Sequence, residues 1–126
     1  MEIMPQAVHR EERRKHPRYK VKEGTLAFLE ATPCAIVDIS ESGMAINYVA
    51  FIEKCITNYI FDLFSSNKNN YLPHIPGEVV AERALVSPSL FNVIHTKRLG
   101  IKFDTLTPDQ QSLLRYFIAQ SAAGKV

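Results

Sequence analysis

The sequence has few cysteines and no long apolar run, which argues against a disulfide-rich protein and against a membrane-spanning one. It contains two cysteines, Cys34 and Cys55, in 126 residues. Two cysteines are too few for a disulfide scaffold, and their spacing does not suit a metal site, so we expect both to be small buried hydrophobes. No apolar run approaches the length that crosses a bilayer, and residues 1–8 lack the apolar segment of a signal peptide. We therefore expect no membrane insertion and a cytoplasmic location.

Signatures of catalysis are also missing. The five glycines are scattered and form no phosphate-cradling loop, and the sequence contains no G-x-S-x-G nucleophile motif. The histidines stand apart from acids and cysteines, without metal-like spacing; they are His9, His16, His74 and His95. We therefore expect no enzyme activity, no metal site and no cofactor.

The chain has the composition of one globular domain, with an uneven distribution of charge. Hydrophobic residues make up 46% and charged residues 22% of the sequence. Residues 1–22 contain seven cationic and three acidic side chains, whereas the remainder contains eight and ten. The net charge of +2 therefore combines a basic N-terminal segment with a slightly acidic body. Such an arrangement suggests an anionic partner, although a tail kept for solubility has the same composition.

The body of the chain contains several short alternating apolar runs. Strict alternation puts Leu26 and Phe28 on one face of the first strand, and Ile36 opposite Ile39 in the second. Strands are predicted over residues 24–30, 34–39 and 78–86. A further strand is predicted after Gly43, with Met44, Ile46 and Tyr48 on one face. The last predicted strand has Leu99, Ile101 and Phe103 on one face. Residues 55–64 are ambiguous between strand and helix. Several short strands separated by turn signals predict a β-sandwich or barrel.

The C-terminal segment has helical spacing. Thr107 is suited to be the N-cap, with Pro108 at the first helical position and Gln110 completing a capping box. The predicted apolar stripe of this helix comprises Leu113, Leu114, Phe117 and Ile118. We expect the stripe to pack on the barrel as a lid, and Gly124 to end the helix.

The basic N-terminal segment contains an R-x-x-x-R motif at Arg14 and Arg18. Pro17 lacks an amide donor and disfavours a helix through this region, so residues 1–20 are predicted to form an arm. Side chains four apart in an extended chain point to the same side, so two guanidinium groups can act on one ligand. Each group suits phosphate oxygens or the O6/N7 edge of guanine. Basic arms also produce this spacing by chance, and Arg10 stands four residues before Arg14.

A D-x-S-x-x-G motif spans residues 38–43, at the predicted turn between the second and third strands. Asp38 and Ser40 share a face while the chain stays extended. A carboxylate beside a hydroxyl can accept hydrogen bonds from the N1 and N2 edge of guanine. Gly43 would permit an unusual backbone angle or the close approach of a ligand. The same residues also suit a turn that merely caps a hairpin.

Taken together, the two motifs resemble those of the PilZ domain family, which has an arginine pair before the first strand and an acid-serine-glycine turn. The resemblance continues at the L-G-I-K-F strand over residues 99–103, which leads into the final helix. It covers residues 10–118 and is weakest over residues 49–76.

The resemblance implies a mainly β fold. PilZ domains are six-stranded antiparallel β-barrels with a C-terminal α-helix, and here a flexible basic N-terminal arm would precede the barrel. The arm would comprise residues 1–20, and the barrel with its helix would comprise residues 21–126, as a single domain.

The resemblance also implies a ligand, the bacterial second messenger cyclic di-GMP. Arg14 and Arg18 would bind guanine edges and phosphates. Asp38 and Ser40 would bind a guanine from the barrel side, and Gly43 would let the turn take the required shape.

Further expectations follow from the resemblance. Arg13 and Arg10 would be secondary ligand contacts, for a second, stacked copy of cyclic di-GMP. The chain would be a signal-transduction receptor whose arm becomes ordered on ligand binding and which acts on a downstream protein. The chain would be a monomer or a weak homodimer. No DNA or RNA partner is expected, because the arm lacks interleaved aromatic residues beyond Tyr19 and the body is slightly acidic. The alternative is a PilZ-fold protein-interaction module that does not bind nucleotide.

Overall fold

The computed structural model describes residues 16–50, 58–65, 70–86 and 95–126. This part of the chain forms eight strands and one helix. In chain order they are β1 (Tyr19–Val21), β2 (Thr25–Leu29), β3 (Thr32–Ile39), β4 (Gly43–Ala50), β5 (Asn58–Ser65), β6 (Asn70–Val86), β7 (His95–Phe103), α1 (Pro108–Ser121) and β8 (Ala122–Lys125).

Six of the strands close into an antiparallel barrel. Their order is β2-β5-β6-β7-β4-β3, and the pairing of β2 with β3 closes the ring. Strand β1 pairs with β3 outside this ring, and β8 pairs with β1. The prediction of a mainly β, six-stranded antiparallel barrel with a C-terminal helix is confirmed.

The barrel interior is filled by alternate residues of its strands, as expected for strands with one buried face. The predicted inward positions of β4 and β7 are confirmed as buried; they are Met44, Ile46, Tyr48, Leu99, Ile101 and Phe103. In β2 the core face consists of Thr25, Ala27 and Leu29. Leu26 and Phe28 share the other face and are half-buried.

Strand β3 departs from the predicted alternation. Ile36 and Ile39 are both buried, so the prediction that they lie on opposite faces is wrong. The register with β4 shifts between Ile36 and Asp38, because a β-bulge inserts one extra residue at Val37. Beyond the bulge the two faces exchange, which brings Ile39 into the core.

Helix α1 begins as predicted but ends earlier. The backbone amide of Gln110 donates to the Thr107 hydroxyl (3.1 Å), and the Thr107 amide donates to the Gln110 side chain (2.9 Å), which confirms the capping box. The predicted apolar stripe is buried except for Leu113, which is 54% exposed. The helix ends at Ser121, so the prediction of an end at Gly124 is wrong. Residues 122–125 pair with β1 as strand β8, and this pairing replaces further helix.

Cys34 is a buried free thiol, as predicted, and Cys55 lies outside the described residues. In the described ranges, no helix has both the length and the apolar character needed to span a bilayer.

Candidate functional site

The turn between β3 and β4 is held by hydrogen bonds within the D-x-S-x-x-G motif. The Ser40 amide donates to the Gly43 carbonyl (2.8 Å), and the Ser42 amide donates to the Ser40 hydroxyl (3.2 Å). The turn is also tied to β7, because the Phe103 amide donates to the Ser42 carbonyl (2.9 Å). Ser40 is 4% exposed. The Ser40 hydroxyl therefore helps to hold the conformation of the turn.

Gly43 is required by the neighbouring strand. A β-carbon at this position would overlap the backbone carbonyl oxygen of Ile101 in β7. The positive-φ glycine of the described chain is Gly24, with φ of 88°, and Gly43 has no such angle. Gly43 therefore lacks the predicted unusual backbone angle, and the predicted close approach of a ligand stays a prediction. The group that approaches Gly43 here is protein backbone, which brings the turn tightly against β7.

The bulge in β3 aligns Asp38 with a row of small residues across the sheet. Asp38 lies opposite Ala45 of β4, Ala45 lies opposite Gly100 of β7, and Gly100 lies opposite Ala81 of β6. A β-carbon at Gly100 would lie 3.2 Å from the Ala81 β-carbon, so these two residues share a face. We call Ala45, Gly100 and Ala81 the floor. It is a bare patch of outer barrel surface with a carboxylate at one edge.

The floor is the base of an open groove of about 430 Å³. Four of the residues predicted from the two motifs line this groove together; they are Arg18, Asp38, Ser40 and Gly43. The other predicted contacts, Arg14, Arg13 and Arg10, lie outside the described residues.

Arg18 is held beside the groove by its backbone. Its carbonyl accepts a hydrogen bond from the Val126 amide (2.9 Å), and the next residue, Tyr19, pairs with Ile39 of β3. The end of the arm is therefore fixed between β8 and the strand that carries Asp38. This placement brings a guanidinium and a carboxylate to the same groove.

The groove also contains residues that the motifs did not identify. Lys102 of β7 lines it, as does Val80 of β6, which is 59% exposed. Lys102 could have been found from the alternation in β7, because the inward positions 99, 101 and 103 leave 100 and 102 facing out. Val80 lies at a register shift between β6 and β7, which the sequence did not signal.

The far side of the turn faces the helix instead of the groove. Glu41 accepts a hydrogen bond from Arg115 Nε of α1 (2.8 Å), and its other carboxylate oxygen lies 4.0 Å from His16 Nδ1. A smaller cavity of about 240 Å³, between β1 and α1, is lined by Glu41 and Arg115 among others. The turn thus contacts the groove through its serines and the helix through Glu41.

The lining of the groove combines charged and apolar groups. Arg18 and Lys102 supply cationic donors, Asp38 supplies an acceptor, and the floor supplies flat apolar surface. Among the residues that the structure describes, no cluster of three or more His, Cys, Asp or Glu side chains could hold a metal ion.

The sequence model of the PilZ domain matches residues 12–120. The chain belongs to the PilZ domain family. A solved structure described as the PilZ domain of YcgR from Escherichia coli with c-di-GMP has the same fold, with a TM-score of 0.63. The match covers 86% of this chain and 90% of the other at 15% sequence identity, so the likeness concerns the fold. No curated protein sequence matches the chain.

Proposed function

We propose that this PilZ domain is a receptor for cyclic di-GMP and not an enzyme. The observation that carries the proposal is the meeting of Arg18 with Asp38, Ser40 and Gly43 in one groove, although β1 and β2 separate the two motifs in the sequence. The fold match to a PilZ domain solved with c-di-GMP supports the same ligand. A guanine would place its Hoogsteen edge on an arginine and its N1 and N2 donors on a carboxylate.

The magnitudes of the expected contacts bring a micromolar affinity within reach. A good bidentate arginine contact contributes about 1–3 kcal/mol. Micromolar binding requires about −8 kcal/mol. Arg14 and Arg18 would together contribute about 2–6 kcal/mol. The contact from Asp38 and stacking on the floor would supply the remainder and offset the cost of ordering the arm. Arg13 and Arg10 would add to it if a second, stacked ligand binds.

Asp38 and Ser40 have different parts in this proposal. Asp38 is half-buried and lines the groove beside the floor, so its carboxylate is available to guanine donors. The Ser40 hydroxyl lies 3.1 Å from the Ser42 hydroxyl and accepts from the Ser42 amide. Ser40 would therefore act mainly by holding the turn, with its remaining hydrogen-bonding capacity directed to the ligand.

The signal would be a change in the arm, residues 1–20. Binding would draw Arg14 onto the ligand beside Arg18 and order the arm over the groove, creating a surface for a downstream protein. Amide relaxation of the residues before Tyr19, measured by NMR with and without cyclic di-GMP, tests this step. Relaxation that does not change at saturation would contradict it.

The receptor proposal is tested by calorimetric titration with cyclic di-GMP. We expect micromolar or tighter binding by the unaltered chain, and its loss in an Arg14→Ala/Arg18→Ala variant. The matched control is Lys20→Ala/Lys22→Ala, which removes the same charge from exposed positions of the same region, neither of which lines the groove. It should bind within a fewfold of the unaltered chain.

A second pair of variants separates the two roles in the turn. Asp38→Ala should lose affinity without loss of stability, whereas Ser40→Ala should lower both. If the unaltered chain does not bind cyclic di-GMP, the receptor proposal is wrong. The remaining function would then be a PilZ-fold module that acts through protein contacts alone.

A further inference from the structure

Two arginines face each other across β6 and β7, next to the floor. Arg83 of β6 lies directly opposite Arg98 of β7, and Arg98 in turn lies opposite Asn47 of β4. The neighbours of Arg98 along β7, Lys97 and Leu99, are buried, so Arg98 faces outward. Residues opposite each other in a sheet share a face, so Arg83 faces outward as well.

This pairing is unfavourable in the protein alone. Like charges directly opposite on neighbouring strands are destabilising. Arg98 Nε donates to the Asn47 side-chain oxygen (3.1 Å), which is a neutral acceptor. Among the described residues, the ion pairs involve other cations, namely His16, Lys97 and Arg115. Two adjacent guanidinium groups could instead donate charge-assisted hydrogen bonds to one anion.

The arginine pair adjoins the candidate ligand site along the strands. Arg98 is two residues from Gly100, and Arg83 is two residues from Ala81, so the pair lies about 7 Å beyond the floor. No side chain of the floor is larger than a methyl group. A flat ligand that rests on the floor with one end at Asp38 would therefore reach Arg83 and Arg98 with its other end.

We propose that Arg83 and Arg98 bind a phosphate of the cyclic dinucleotide, as an anion site on β6 and β7 just beyond the residues that line the groove. This inference rests on the proposed function. A cyclic dinucleotide has two phosphates on opposite sides of its ring, and Arg18 is fixed on the β3 side of the floor, where Tyr19 pairs with Ile39. Cations that project from β6 and β7 could bind the phosphate on the other side. Arg83 and Arg98 supply two guanidinium groups there, with Asn47 orienting Arg98.

The test measures binding and stability in the same variants. Arg83→Gln and Arg98→Gln are titrated with cyclic di-GMP by calorimetry beside the unaltered chain. Lys22→Gln is the control, since it removes one exposed cation remote from the groove, where its ammonium group lies 3.5 Å from the Gln120 carbonyl. We expect each arginine variant to weaken binding at least tenfold, and Lys22→Gln to weaken it less than twofold.

Thermal unfolding without ligand distinguishes ligand binding from a structural role. Loss of one of two opposed charges should raise the melting temperature of Arg83→Gln by about 1–3 °C. A merely structural arginine would lower both the affinity and the melting temperature when replaced.

The possible failures are distinguishable. If the unaltered chain binds cyclic di-GMP and the arginine variants bind as tightly as Lys22→Gln, the anion site is wrong and the receptor function stands. If the unaltered chain does not bind, the receptor function is wrong and the anion site is wrong with it.

Discussion

The two faces of β4, β6 and β7 are built in opposite ways. On the inner face, large side chains such as Ile46, Leu99 and Ile101 fill the barrel and are almost fully buried. On the outer face, two residues of the floor alternate with them along the same strands; Ala45 precedes Ile46, and Gly100 separates Leu99 from Ile101. One face stabilises the fold, and the other leaves room for a flat ligand. Neighbouring residues should therefore have separable effects on stability and on binding.

The largest effect is expected from emptying the inner face. Leu99 is 1% exposed, and Leu99→Ala removes its side chain from the packed interior. Because a cavity remains, the free energy of unfolding should fall by about 2–5 kcal/mol, measured by urea denaturation. The fraction that remains folded should bind cyclic di-GMP as the unaltered chain does. A loss of affinity larger than the unfolded fraction explains would show that the two faces are coupled.

The next effect concerns the inner-face thiol of Cys34. Burial raises its pKa from 9.0 to about 11. Between these values the unfolded chain has released the thiol proton and the folded chain still holds it, so folding stability falls as pH rises through this window. The loss attributable to Cys34 should approach about 2–3 kcal/mol near pH 11.

The measurement compares unfolding free energies from pH 8 to pH 11 in the unaltered chain and in Cys34→Ala. Cys34→Ala should be less stable at pH 8, because a buried side chain is removed, but its stability should decline less steeply above pH 9. Parallel curves for the two proteins would mean that the thiol ionises in the folded state as readily as in the unfolded one.

The inner face could be predicted from the sequence wherever the strands are regular. Met44, Ile46 and Tyr48 alternate without interruption, so their burial follows from the period of the strand. The prediction was wrong at Ile36 and Ile39, because the bulge between them depends on the pairing with β4. This bulge changes which residues face the core, but β3 contains no glycine to mark it.

The outer surface around the groove was predicted only in part, for a related reason. The two motifs identified Arg18 and Asp38 from residue type and spacing. The floor and the opposed pair of Arg83 and Arg98 arise from the register between strands, which local sequence does not determine. The end of α1 was mispredicted because Ala122 pairs with Val21 of β1, a contact that spans most of the chain.

A larger side chain on the outer face should lower the affinity for the ligand and leave stability nearly unchanged, whereas Leu99→Ala should lower stability and leave the affinity unchanged. Gly100→Val places a side chain on the floor, where its β-carbon would lie 3.2 Å from that of Ala81. Valine favours strands more than glycine does, which offsets the tight contact, so stability should change by no more than about 1 kcal/mol. Cyclic di-GMP affinity, measured by calorimetry, should fall at least tenfold.

Ala123→Val is a control for Gly100→Val, since it places the same side chain at an exposed position of β8, remote from the floor. It should leave the affinity unchanged. If Gly100→Val bound as tightly as this control, the ligand would not rest on the floor.

The smallest effect is expected where the turn faces the helix. Glu41 stands between two serines of the ligand turn, yet its carboxylate pairs with Arg115, whose side chain is 60% exposed. Exposed ion pairs contribute about 0.2–1 kcal/mol, so Glu41→Gln should lower the unfolding free energy by less than about 1 kcal/mol. A double-mutant cycle with Arg115→Gln measures this coupling by urea denaturation, and the coupling should shrink in high salt because solvent screens the pair.

Glu41→Gln also tests whether the groove side and the helix side of the turn act independently. Glu41 does not line the groove, so Glu41→Gln should change the affinity for cyclic di-GMP less than twofold. A tenfold change would mean that the contact to α1 helps to set the position of Asp38 and Ser40. Ligand binding in the groove would then be coupled to α1 through Glu41. At the turn, stability and binding would not be separable, unlike on the inner and outer faces of the strands.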